Sequence, residues 1–281
     1  MTSFTPDDVR ASYGFVGALA ASVPEMAGIL NTAVAQQWTA DRFLMAITST
    51  HWYRTNSSAM REWVTQQAVD PAEAAAQLGK RRVQAAEKAA ALGLPIQSQL
   101  LDQVALASLL GGFDDARLGQ HLARNYFDPN TVDLTRTTGQ VAETQMQLKQ
   151  LAGAYGMPND EVWLRGRLGE VIRGDNTVEG AKLVAVNYAK AKYAAYADQF
   201  DAGATVVDIA APHREAIQRT LELGEVSLQD AAVQRALQRG QAVYETEKAA
   251  RQDARWQYTT NAKAAVGELA TRIGKDFGYL A

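Results

Sequence analysis

The 281 residues are 47% hydrophobic and 21% charged, ordinary globular usage that excludes disorder over most of the length and allows one large domain or two small ones. A formal net charge of −3 excludes a general electrostatic affinity for nucleic acid or anionic membrane, both of which ask for a basic excess. There is no cysteine, which removes disulfides, thiolate catalysis and Cys-based zinc sites and fits a reducing cytosol or a particle assembled in one.

From the N-terminus, MTSFTPDDVR has two acids and no basic run ahead of an apolar stretch, so no secretory signal is expected. The segment from Tyr13 to Leu30 is mostly Ala and Gly and is interrupted by Pro24 and Glu25, too weak a pattern to span a bilayer. The chain therefore reads as soluble. Helix starts recur along it. Thr5, Pro6, Asp7 and Asp8 combine a capping hydroxyl, a proline at the first helical position and acids that answer the positive end of the helix dipole. Ser22 to Glu25 reads as a proline-containing capping box, and Asp70, Pro71, Ala72 and Glu73 open the cleanest helix, which runs to a stop at Gly93. Further caps are expected at Thr39, Ser98, Asp114, Asn159, Thr177 and Ser227. All seven prolines fall at expected helix boundaries, and the single β-branched run, Ala204 to Ile209, reads equally well as a short helix. The expected fold class is all-α.

Internal repetition gives the expected architecture. Gly93-Leu94-Pro95 aligns with Gly156-Met157-Pro158 at an offset of 63, which then pairs Leu109 with Ile172, Gly111 with Gly174, Asp114 with Thr177, Leu118 with Ala181 and Leu122 with Ala185. An offset of 75 adds Val34 to Leu109, Trp38 to Phe113, Thr39 to Asp114, Phe43 to Leu118 and Ile47 to Leu122. In each unit an apolar helix ends in a short turn, an oxygen caps a second helix, and apolar residues four and eight places later share one face. Trp38 and Phe113, just before the cap, suit a hydrophobic staple. At least three stacked helix–turn–helix hairpins are expected in tandem, with a fourth suggested over Leu221 to Leu237 and capped by Ser227. The turn at Asp128-Pro129-Asn130 marks the expected division into N-terminal hairpins over 1–130 and C-terminal hairpins over 131–281, packed against the first half, with a weaker joint near Asp201 to Gly203.

Chemistry is sparse. His51, His121 and His213 stand far apart in sequence, none with a second ligand at i+3 or i+4, so no metal site is expected. Neither RGRLGE nor LLGGF has phosphate-loop spacing, and there is no G-x-S-x-G elbow. Glu25, Glu62 and Glu170 have apolar neighbours, as a general acid would, but caps and solvated faces explain them more cheaply. No catalytic residue and no cofactor is expected. Lys80, Arg81 and Arg82 form the strongest basic cluster, diluted by Glu73 and Glu87. A solvated face is the favoured reading there, ahead of contact with nucleic acid or an acidic partner. Aromatic anchors in Ala-rich surroundings suit protein interfaces as well as cores, which makes Trp52, Tyr53, Trp63, Tyr193, Tyr196, Trp256 and Tyr258 the candidate interface residues.

Several segments follow one another in a telling order: Tyr13-Gly14-Phe15, Trp38 to Phe43, Thr50 to Tyr53, Asp70 to Ala72, Gly93 to Ile96, Asp253 to Trp256, Tyr258 to Ala262 and Asp276 to Gly278. The set, spread over most of the chain, resembles a family of α-helical virion proteins encoded among the structural and tail genes of bacteriophages of Actinobacteria such as Streptomyces. The chain departs from longer members by abrupt connections where they carry insertions. The resemblance implies a non-enzymatic structural protein of the tail or head–tail region, located in the virion and assembled in the host cytoplasm. Its partners would be other virion proteins and further copies of itself. The alternative it leaves is a virion-associated factor for DNA ejection or cell-wall penetration.

Overall fold

The computed structural model describes residues 14–277 except 15 and 159; the Thr5 cap, Tyr13, Phe15, Asn159 and Gly278 lie outside the described residues. Residues 16–22 are helical (α1), followed by α2 (Pro24–Ala35), α3 (Ala40–Thr48), α4 (His51–Thr55), α5 (Ser58–Val69), α6 (Pro71–Leu92), α7 (Ser98–Gly111), α8 (Asp115–Tyr126) and α9 (Gly139–Ala154). Then come α10 (Glu161–Arg173), α11 (Val178–Lys192), α12 (Ala197–Asp201), α13 (Val206–Leu221), α14 (Ala231–Arg239), α15 (Val243–Ala250) and α16 (Thr260–Asp276). Two 3₁₀ turns, Ala194–Tyr196 and Trp256–Tyr258, precede α12 and α16. The fold is all-α, with no strand among the described residues.

The three expected helix–turn–helix junctions share their local geometry. Thr39, Asp114 and Thr177 each accept a hydrogen bond from the backbone N–H three residues on, at 3.4, 2.7 and 3.0 Å. The residues four and eight places later are all buried: Phe43 and Ile47, Leu118 and Leu122, Ala181 and Ala185. Trp38 N–H closes on the Ala33 carbonyl and Phe113 N–H on that of Ser108, both at 2.9 Å, so the first two junctions match residue for residue. The third is one residue longer, because the left-handed residue that matches Gly174 is Gly112, and Gly111 is still helical. At the equivalent place the first junction puts Gln37, at φ 51°, where the others use glycine. The two helices of the first junction pack on one another, α2 on α3, whereas α8 packs on α6.

Other starts differ from expectation. Ser22 donates to the Ala18 carbonyl rather than capping α2, whose N-cap is Val23. Ser98 is the first residue of α7, one place inside its Gln97 cap. Ser227 stabilises a turn by accepting from Gln229 N–H, and Asp230 caps the helix that follows. Asp160 caps α10. Pro212 lies inside α13, not at a boundary. The run Ala204 to Ile209 is the start of that helix, held by a capping box in which Thr205 and Asp208 bond each other's backbone N–H. The Ala-rich helix carrying Tyr188 to Phe200 is broken at Tyr193, whose ring is buried and whose hydroxyl donates to Gln234 Oε1 at 2.9 Å.

The chain divides into two units, Met1–Glu143 and Thr144–Ala281, so the division falls inside α9 and not at the Asp128 turn. That turn is present, with Asn130 N–H bonded to Asp128 Oδ1. The loop beyond it is anchored by a close backbone approach: a Cβ on Gly93 would meet the Thr138 carbonyl at 1.9 Å, and one on Gly139 the Ala91 carbonyl at 2.3 Å. In the first unit, Leu19, Val23, Met26, Leu30, Phe43 and Ile47 form one core. The long α6 packs against α7 and α8 beside it, with Ala85, Ala89, Val104 and Leu122 buried. In the second unit Tyr193, Phe200, Ile209, Ile217, Leu221, Val233 and Leu237 form the core, with α13 packed on both α14 and α15. The joint expected near Asp201 is a turn inside this unit.

Candidate functional site

Two of the residue groups singled out in the sequence meet in the first unit. A groove of about 910 Å³ runs between α5, α6 and α7, and Tyr53 and Trp63 line it together with Lys80 and Arg81. Trp63 is only 6% exposed and belongs to the groove floor. The Arg61 guanidinium lies 4.1 Å over the Tyr53 ring and donates to the Tyr53 carbonyl at 2.7 Å, fixing the wall at that end.

The basic cluster is divided by the helix it sits on. Successive residues turn by about 100° around α6, so the three cations face different neighbours. Arg81 donates to Ser108 Oγ at 2.5 Å, to Gln84 Oε1 at 2.8 Å and to the Phe113 carbonyl, which stitches α6 to α7 and to the α8 cap. Arg82 pairs with Asp102 on α7 at 3.1 Å. Lys80 is exposed on the groove rim. Two of the three charges are thus engaged in packing helices.

The aromatic candidates separate by burial. Trp52 and Tyr53 pack at the edge of the N-terminal core. Tyr193 is 1% exposed and lies in the core of the second unit, whereas Trp63, nearly as buried, reaches the surface only through the groove it lines. Tyr196 and Trp256 pack against the core of the second unit. Tyr258 stands 77% exposed in the turn before α16.

Each histidine has a structural setting. His51 begins α4. His121 lies between the rings of Phe113 and Tyr126, at 5.3 and 6.1 Å. His213 is buried, with Nδ1 2.8 Å from Thr246 Oγ1 and Nε2 3.3 Å from the Tyr196 hydroxyl. Burial pushes the His213 pKa down and that of Tyr196 up, favouring the neutral form of each. Among the described residues no group of three His, Asp or Glu is placed to hold a metal ion, and no helix is long and apolar enough to cross a membrane.

The three weighed glutamates do different work. Both oxygens of Glu25 accept backbone N–H bonds, from His51 and Trp52 at 2.8 Å each, so its carboxylate closes the start of α4. Those bonds lower its pKa. Glu170 accepts from Arg167 at 2.7 Å and Asn176 at 3.0 Å. Glu62 is exposed on α5 beside the groove.

A feature not singled out from the sequence lies on α16. Only Ala262 is buried there, while Val266, Leu269, Ile273 and the following Phe277 are 62, 56, 47 and 73% exposed. Their three- and four-residue spacing places Val266, Leu269 and Ile273 on one face, with Glu268, Thr271 and Lys275 turned away. The signal was legible as an apolar period in a helix otherwise rich in Ala and Gly. Comparison with family models, with curated proteins and with solved structures finds no match to this chain.

Proposed function

We propose that the chain is a non-enzymatic structural protein of a bacteriophage particle, in the tail or head–tail region, working by association with other virion proteins. One observation carries the assembly reading: α16 presents a row of large apolar side chains to solvent, a pattern that marks surfaces covered by another protein. The virion assignment rests on the ordered set of segments that resembles the actinobacteriophage family. Mass spectrometry of purified particles tests it. The chain is expected at a fixed copy number, and its absence from particles overturns the reading.

The groove of the first unit favours a second reading, a factor that leaves the particle with DNA or acts at the cell wall. Arg61, Lys80 and Arg81 line it against the one acid Glu62, and that excess of positive charge suits an anionic ligand. Particles analysed before and after DNA ejection separate the two: a structural part stays at constant copy number, and a released factor is lost.

A further inference from the structure

We propose that the groove between α5, α6 and α7 receives an acidic, amphipathic helix of another protein; the inference rests on the assembly reading and gives it an acceptor site. Two walls of the groove are helical stripes. Gln77, Lys80, Arg81 and Gln84 follow at short helical intervals along α6, and Ser58, Glu62, Thr65 and Val69 along α5. At the rise of an α-helix these walls are about 10 and 16 Å long, the length of roughly two to three turns of a ligand helix. Three cations line the groove, and among the described residues none of them is ion-paired with an acid. Arg81 is held by Ser108, Gln84 and the Phe113 carbonyl, and Arg61 by the ring and carbonyl of Tyr53, all of them neutral groups. Those partners fix both guanidinium groups and leave their charges uncompensated. Arg82 and Lys88, further along α6, are instead neutralised by Asp102 and Asp115. Lys80 adds the third charge, and Glu62 is the one acid on the lining. This preorganised positive excess lies beside Leu19, Trp63, Val69 and Leu109, so the complementary occupant carries both carboxylates and apolar side chains.

The walls also decide the conformation of that occupant. Backbone N–H and C=O groups within a helix are already bonded to one another, and among the described residues there is no strand edge to which an extended peptide could add. A peptide lying in this groove must therefore satisfy its own backbone, as a helix does. The aromatic rings argue against nucleic acid. Bases held by protein stack on open ring faces, but Trp63 is only 6% exposed and the Arg61 guanidinium covers one face of Tyr53 at 4.1 Å. Tyr53 also packs at the edge of the N-terminal core. Carboxylates and aliphatic side chains need no such faces.

Selection of a displayed library of random peptides, each about fourteen residues long, on the full chain tests the proposal, with the enriched peptides then titrated against variants. They are expected to carry apolar residues at helical spacing with Asp or Glu beside them, and to gain helical circular dichroism on binding. Lys80→Glu on α6 and Gln66→Glu on α5 should each weaken binding about tenfold or more. Lys275→Glu, the same change of charge on the exposed surface of α16, should leave affinity unchanged. Enriched peptides that ignore Lys80→Glu, that lack acids or that bind without becoming helical overturn the proposal, and so does a library from which nothing is enriched. A single-stranded oligothymidylate whose binding is lost in Lys80→Glu, where no acidic peptide binds, overturns it in favour of nucleic acid. Each of these results leaves the assembly reading standing, because only absence from purified particles removes that reading.

Discussion

Glu25 and Glu222 perform the same task in different units of the chain. Glu25 accepts from His51 and Trp52 N–H at the start of α4, and Glu222 from Thr260 and Asn261 N–H at the start of α16, at 2.8 and 2.7 Å. The helices they serve are built alike. Thr50 and Thr259 each cap the N–H three residues on and donate their hydroxyl to the carbonyl three residues back, Ile47 at 2.6 Å and Trp256 at 2.7 Å. Each first turn thus has three N–H groups satisfied by side chains, two of them by a carboxylate from a distant element whose charge also answers the helix dipole.

Replacing either glutamate by glutamine keeps one acceptor and removes the charge. Glu222→Gln is expected to speed hydrogen exchange at Thr260, Asn261 and Ala262 and to leave α4 unchanged, and Glu25→Gln the reverse. A small drop in Tm should accompany each. Equal exchange in both variants and the wild type would contradict the assignment.

Acid should weaken the fold in two steps. His213 is held below its ordinary 6.5 by burial, so the unfolded chain takes up a proton first, and stability falls as pH drops from 6.5 towards the lowered value. Glu25 and Glu222 are lowered from 4.5 by their backbone bonds. Asp253 is lowered from 3.8 to about 2, chiefly by its hydrogen bonds from Arg255. The stability these carboxylates add is complete above their ordinary values and is lost as pH falls through the lowered ones. Urea unfolding across this range should show both steps, and His213→Gln should remove only the first.

Gln37 occupies a left-handed backbone position without being glycine. Gln37→Gly should stabilise the chain by about 1 kcal/mol, since the strain exceeds the entropy that glycine returns to the unfolded state. Glu222, at φ 52°, is a contrasting case. Its replacement by glycine relieves the same strain but removes the carboxylate from α16, so no such gain is expected. Chemical denaturation of both variants decides this.

Arg81 and Lys80, adjacent in sequence, should respond very differently to alanine. Arg81→Ala strands Ser108, which is 1% exposed, and the Phe113 carbonyl, and should cost about 1–3 kcal/mol. Lys80→Ala, on the rim, should stay within about 0.5 kcal/mol. A ligand of the groove that needs positive charge would instead be lost in the Lys80 variant at unchanged stability.

What could be read from the sequence was what acts over three or four residues. The caps at Thr39, Asp70, Asp114 and Thr177 are local, and so is the buried face that starts four places after three of them. The role of Glu25 was not readable, because its partners lie on another helix. Pro212 was misplaced because Val206, Val207 and Ile209 are weak helix formers, and Thr205 with Asp208 outweighs them. The separate fates of Lys80, Arg81 and Arg82 depend on which side of α6 meets α7, and the burial of Trp63 and Tyr193 on cores assembled from several helices. For the candidate site, the residue types were visible and their grouping was not: Tyr53 and Trp63 share a groove with Lys80 and Arg81 only once α5, α6 and α7 are packed.

Gly93 and Gly139 press their backbones together so closely that a methyl group on either would collide with the main chain of the other's neighbourhood. The consequence is genealogical. A change at one position cannot be rescued by a change at the other, because both are already at the smallest side chain there is. Any descendant that keeps this junction must inherit both glycines, and one that loses either must have rebuilt the passage from α6 to α9.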